Sequence, residues 1–144
     1  MPGKHISLTP YSPLAAGRLT RKADDPPTKR LREDAYARCK YDAAADQDAP
    51  IIYRVATLAD RKGVSMTEIA LAWLLRKVSA PVVGMTKTSH VDSCVRAVDC
   101  TLTDDESHWL EELYTPHPLA GVMAENKPGT SLQVRSWTIG KQTL

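Results

Sequence analysis

Seven consecutive apolar residues, Ile69-Ala70-Leu71-Ala72-Trp73-Leu74-Leu75, constrain this chain more than any other stretch. Ser65 and Glu68 just upstream form the Ser-x-x-Glu pattern of a capping box, so the run opens as a helix and extends to about Val78. A helix apolar on most faces has to be covered on most faces. A preceding helix begins near Asp48 with Pro50 in its first turn. There Ile51, Ile52, Val55, Leu58 and Ala59 recur at three- and four-residue intervals, with Lys62 in the last turn and Gly63 as the stop. Two short apolar runs bracket the helical pair. Ile6-Ser7-Leu8 leads into Tyr11 and is ended by Pro10 and Pro13, while Pro81-Val82-Val83 ends at Gly84. Each reads as a short buried strand. Two strands joined by a long helical crossover form a parallel, right-handed βαβ unit.

Beyond Gly84 the pattern is helical again. His90 to Val98 forms a helix with Val91, Val95 and Val98 on one face. Thr103 and Glu106 make a second capping box, opening a helix whose Trp109, Leu110 and Leu113 face inward. The order is strand, helix, helix, strand, helix, helix, which places the chain in the α/β class. A polar, proline-bearing loop runs from Arg21 to about Asp34. The organised part extends over residues 1–122, and 123–144 read as an irregular tail without periodicity.

With 144 residues and 42% apolar content the chain suits one domain. A net charge of +2, with acids and bases interspersed, gives no nucleic-acid-binding surface. Cys39, Cys94 and Cys100 are odd in number and have no metal spacing, which points to free thiols in a reducing compartment. The first residues are too polar for a signal peptide, and no apolar run is long enough to span a membrane. These readings describe a soluble, cytoplasmic protein.

Two loops carry the chemistry. Tyr11-Ser12-Pro13-Leu14-Ala15-Ala16-Gly17-Arg18-Leu19 follows the first strand, and Gly17 lets backbone approach a phosphate. Gly84-Met85-Thr86-Lys87-Thr88-Ser89-His90 follows the second in the same strand–loop–helix setting. Together with Gly63-Val64-Ser65, Ala70-Leu71-Ala72-Trp73, Pro81 to Gly84, Leu110-Glu111-Glu112-Leu113-Tyr114 and Pro116-His117-Pro118, these segments resemble the C-terminal part of the aldo-keto reductase superfamily. The branch they resemble most holds the aryl-alcohol dehydrogenases.

That resemblance implies the C-terminal portion of a (β/α)8 barrel, about two βα units, incomplete as given, since a whole barrel needs roughly 200 residues or more. It implies NADP(H) as cofactor and a small-molecule carbonyl substrate where the full barrel exists. Tyr11 would offer a flat face to the nicotinamide, and the loop of Ser12, Pro13, Leu14, Gly17 and Leu19 would hold the phosphates. Lys22 and Arg30 would add positive charge beside the pyrophosphate. In the second loop, with Gly84 and Met85, Lys87 would pair the 2′-phosphate, with Thr86 and His90 beside it. The structural alternatives are a core role for Tyr11 and a plain surface role for Lys87.

Ser93 and Cys94 depart from the family pattern, standing where many members carry Glu and Asn to hold the adenine. The family's catalytic Tyr, Asp, Lys and His belong to the N-terminal half of the barrel. None of Tyr11, Tyr36, Tyr41, Tyr53 or Tyr114 matches the catalytic position, so no catalytic residue is assigned. Two readings follow: a truncated cofactor-binding part of a reductase, or a non-catalytic nucleotide-binding or interaction module that pairs with another chain. Open strand edges favour self-association in either case.

Overall fold

The computed structural model describes residues 7–118 and 120. Six α-helices lie within them: α1 (Lys29–Glu33), α2 (Ala35–Tyr41), α3 (Ala45–Lys62), α4 (Met66–Leu75), α5 (Thr88–Asp99) and α6 (Asp104–Glu111). Short 3-10 helices occupy Ala15–Thr20 and Asp42–Ala44. The segment beyond residue 120 that was expected to be an irregular tail, and the boundary near 122, lie outside the described residues.

Helix α3 stops where the sequence says it should. Gly63 takes φ 65°, ψ 32°, and Val64 N donates back to the Ala59 carbonyl at 3.1 Å, closing the last turn. The helix starts earlier than expected, at Ala45, which places Pro50 inside it. Pro50 has no N–H, so it removes the donor that would bond to the Asp46 carbonyl. Ile52, Val55, Leu58 and Ala59 are buried as the spacing requires.

The core cluster joins Val55, Leu58 and Ala59 of α3 to Ile69 and Ala72 of α4, and to Leu102 and Leu110 from the α6 region. Trp73 and Trp109 pack against it, and so does Leu19 from the first loop. Helix α4 is packed by α3 on one side and α5 on the other, as an all-round apolar helix demands. It ends at Leu75, three residues short of the expected Val78.

Of the two expected capping boxes, only the one at α6 forms; α4 keeps the N-cap bond without the return bond. At α6, Thr103 accepts from Glu106 N at 3.1 Å, and Glu106 Oε2 accepts from Thr103 N at 2.8 Å. At α4, Ser65 Oγ accepts from Glu68 N at 3.2 Å, but the Glu68 carboxylate turns elsewhere. It accepts from Ser65 Oγ at 2.9 Å and from Arg96 Nε of α5 at 3.0 Å, while only 4% exposed. Burial makes the bond to a charged donor worth more than the return bond of a box.

The strand expectation needs correction. No strand forms among the described residues; the pairing reduces to one parallel bridge between Tyr11 and Val82. Val82 N donates to the Pro10 carbonyl at 2.8 Å and Ser79 N to the Leu8 carbonyl at 3.1 Å. Pro10 and Pro81 have no N–H to extend the ladder. These segments are not buried either: Leu8 is 56% and Val82 58% exposed. The α/β expectation therefore stands only as a parallel pair of extended segments separated by helices.

Two further corrections concern faces. Val91, Val95 and Val98 do share one side of α5, but all three are exposed, because the buried contact of α5 is made through Ala97. Leu113, expected to face inward, lies beyond the end of α6 and is exposed. The long loop is also shorter than expected, since α1 occupies Lys29–Glu33. Asp34 then starts α2, its carboxylate accepting from Ala37 N at 2.9 Å.

Candidate functional site

Because Tyr11 and Val82 are bridged in parallel, the segments that follow them leave at the same end. The loop of Ser12–Leu19 and the loop of Val83–Lys87 are thereby neighbours, although some seventy positions separate them in the sequence.

The first loop is wound tightly. Ala15 N donates to the Ser12 carbonyl at 3.1 Å across Pro13 and Leu14, and Gly17 N to the Leu14 carbonyl at 2.8 Å. Four residues take positive φ: Ser12 at 57°, Ala15 at 49°, Ala16 at 56° and Gly17 at 95°. Left-handed backbone at three non-glycine residues costs energy and is maintained only where the surroundings enforce it. Gly17 was legible from the sequence; Ser12, Ala15 and Ala16 were not, because their residue types do not announce this conformation. Leu19 anchors the loop from below by packing on the core, and Thr20 Oγ1 closes it by donating to the Gly17 carbonyl at 2.8 Å.

Tyr11 is 69% exposed and takes no part in the core of the described residues. Lys22 is exposed and lies 3.7 Å from Asp60, so its charge is partly matched by α3. Beside it is a cavity of about 310 Å³ lined by Arg18, Arg21, Lys22 and Arg38, with Asp25, Asp42 and Asp48 also on its walls. Arg18 pairs with Asp42 and Arg21 with Asp25. Yet the Nη1 atoms of Arg18 and Arg21 are buried with no hydrogen-bond partner among the described residues. Arg30 lies on α1, which follows directly.

In the second loop Gly84, Met85, Thr86 and Lys87 are all exposed. Lys87 has no ion-pair partner among the described residues. It precedes α5, whose start has no side-chain cap and no acid in the first turn; His90 N donates to the Lys87 carbonyl at 3.0 Å, and the Thr88 and Ser89 N–H groups before it have no partner among the described residues. His90 turns back on the loop, its Nδ1 accepting from Thr86 N at 3.5 Å. Ser93 and Cys94 follow on α5; Ser93 Oγ donates to the Ser89 carbonyl at 3.1 Å, and burial pushes the Cys94 thiol up.

The structure adds a cluster that the sequence reading missed. Helix α2 brings Lys40 and Tyr41 against the first loop. Tyr41 Oη lies 3.5 Å from Ser12 Oγ, and Lys40 Nζ lies 5.2 Å from the Tyr11 ring centre and 5.1 Å from that of Tyr41. Arg18 covers Tyr41 as well, at 5.1 Å. No local signal marks these residues, because they sit on a helix of which only Ala37 is buried, so no apolar rhythm shows in the sequence.

The model of the aldo/keto reductase family matches residues 3–115. The chain belongs to the aldo/keto reductase family. A versiconal hemiacetal acetate reductase of Aspergillus parasiticus is 40% identical over 118 residues, covering 78% of this chain and 34% of the relative. A Saccharomyces cerevisiae protein named "Putative aryl-alcohol dehydrogenase" is 37% identical over 113 residues, covering 78% of this chain and 33% of its own length. An aldo-keto reductase of Fusarium vanettenii is 33% identical over 116 residues, 81% of this chain and 31% of the relative. The names among these relatives place the chain with the aryl-alcohol dehydrogenase branch, and it spans about a third of their length. Among the described residues, no helix of this family member is long and apolar enough to cross a membrane.

Proposed function

We propose that this chain is the C-terminal, cofactor-binding part of an NADP(H)-dependent reductase that converts aldehydes or ketones to alcohols. The observation that carries the reading is the adjacency of two loops at one end of a parallel pair. One has a strained backbone beside cationic groups, and the other an uncapped helix start with a free lysine. These are the features an anionic dinucleotide needs: unmatched backbone N–H groups, guanidinium nitrogens without partners and a lone ammonium. The relatives' names support a reductase. The cofactor, when bound, supplies the hydride; this chain's residues bind and orient it. Tyr11 presents the flat face, the Ser12–Leu19 loop and Lys22 hold the pyrophosphate, Arg30 adds charge nearby, and Lys87 with Thr86 and His90 holds the 2′-phosphate.

Titration of the Lys87→Ala variant with NADPH and with NADH tests this. Loss of a charge-assisted hydrogen bond weakens NADPH by about ten- to a hundred-fold, and NADH, lacking the 2′-phosphate, is barely affected. An equal loss for both nucleotides removes Lys87 from the role. The 144-residue chain alone is expected to show no NADPH-dependent reduction of aromatic aldehydes, since no residue in it matches the family's proton donor. Turnover abolished by a Tyr→Phe change within the chain overturns that assignment.

The second reading is a non-catalytic nucleotide-binding or interaction module. It is favoured by the exposed valine face of α5 and by the lack of further strand pairing at the Tyr11–Val82 pair among the described residues.

A further inference from the structure

Tyr11 is flat and exposed, and its surroundings are asymmetric. The Lys40 ammonium stands 5.2 Å from the centre of its ring and 5.1 Å from that of Tyr41, close enough for cation–π attraction to both. Lys40 has no carboxylate partner among the described residues. Its neighbours are instead phenols: burial pulls its pKa down, but the bond to Tyr41 and the nearby Tyr11 and Tyr36 oxygens outweigh that and raise it. The lysine is therefore charged throughout the physiological range. Arg18, the other cation of the cluster, is bound by Asp42, so Lys40 is the charge left uncompensated beside Tyr11.

An uncompensated cation against an aromatic ring affects what the ring will accept on its free face. It draws π density toward itself, which favours an electron-rich ring there, and it repels a positive one through space. The reduced nicotinamide ring is neutral and electron-rich, whereas the oxidised ring is a cation. The two redox states thus meet Tyr11 on unequal terms.

We propose that Lys40 is a specificity-determining residue of this site, one that favours the reduced dinucleotide over the oxidised one through the Tyr11 ring. The inference rests on the cofactor reading of Tyr11 above and goes beyond it. For a reductase the consequence is useful: reduced cofactor is retained and oxidised cofactor released. Lys40 acts here as a positioning charge, without contact to a reacting atom.

The test is direct titration of the full chain with NADPH and with NADP⁺, for wild type, Lys40→Met and Lys40→Arg, with circular dichroism confirming that each variant is folded. Wild type binds NADPH more tightly. Lys40→Met keeps the stem and removes the charge, and it narrows the preference by about two- to thirty-fold, as expected for like charges roughly 8–9 Å apart near a protein surface. The change arises mainly from tighter NADP⁺. Lys40→Arg retains the preference, which a merely steric role would not predict. An unchanged ratio in Lys40→Met, with Tyr11→Ala still weakening both nucleotides, overturns the role of Lys40 and leaves the cofactor site intact. Failure of the wild-type chain to bind either nucleotide overturns the cofactor reading and this inference with it.

Discussion

Gly63 terminates α3 at φ 65°, and a Cβ built there meets nothing within 4 Å. The cost of Gly63→Ala is therefore purely conformational, about 1–2 kcal/mol for an L-residue held in the left-handed region. A lower denaturant midpoint with an unchanged m-value checks this. Glu106 gives a pH prediction. Burial pushes its carboxyl up, but the Thr103 N–H and the Lys62 ammonium at 3.0 Å outweigh that and hold it below the ordinary carboxylate range. A depressed folded pKa means its contribution is complete above the unfolded value and is lost as pH falls through the folded one. Stability should therefore decline on acidification below the ordinary carboxylate range, and Glu106→Gln should flatten that decline. An unaltered pH profile in the variant contradicts the assignment. Tyr11 and Lys87 share a lesson at this scale. Their residue types suggested binding, but only the structure exposed both at the same end of the parallel pair.

Among the elements, α4 and α6 invite comparison because the same motif performs two tasks. Thr103→Ala removes the N-cap of α6 and should cost about 1 kcal/mol. Thermal melts of this variant and of Glu68→Gln should differ in salt response. Glu68→Gln disrupts a pair to Arg96 that joins α4 to α5, whereas Thr103→Ala breaks only a local bond. Helices α3, α4 and α6 were read from the sequence and have buried faces that match the reading. Helix α2 escaped notice because only Ala37 of its seven residues is buried, so no apolar rhythm marks it. Helix α5 was legible as a helix, yet its orientation was not. Its valines repeat as a core stripe would, and the face that packs is marked by a single alanine.

At the largest scale, apolar side chains are exposed among the described residues: Leu8, Tyr11 and Val82 at the parallel pair, and Val91, Val95 and Val98 on α5. Surfaces of this kind mark interfaces or aggregation-prone faces. The isolated chain is expected to self-associate, and size-exclusion chromatography with light scattering measures it. Val95→Asp, placing a charge on that face, should shift the population toward monomer without loss of helical signal. A monodisperse wild-type monomer contradicts the expectation.

The sequence alone determined the helix pair at the centre, its stop at Gly63, the caps at Ser65 and Thr103, and the family. These depend on short-range spacing, on one backbone conformation or on local hydrogen bonds, all of which are written within a few residues. Tertiary structure decided the rest. Whether the segments around Leu8 and Pro81–Val83 become strands depends on neighbours to pair with, and among the described residues the prolines leave a single bridge. Which face of α5 is covered depends on what packs against it. The meeting of Lys40 with Tyr11 depends on α2 folding back over a loop 29 residues from Ser12 to Tyr41. Contacts between distant segments are not encoded in any one of them, so no local pattern announces them.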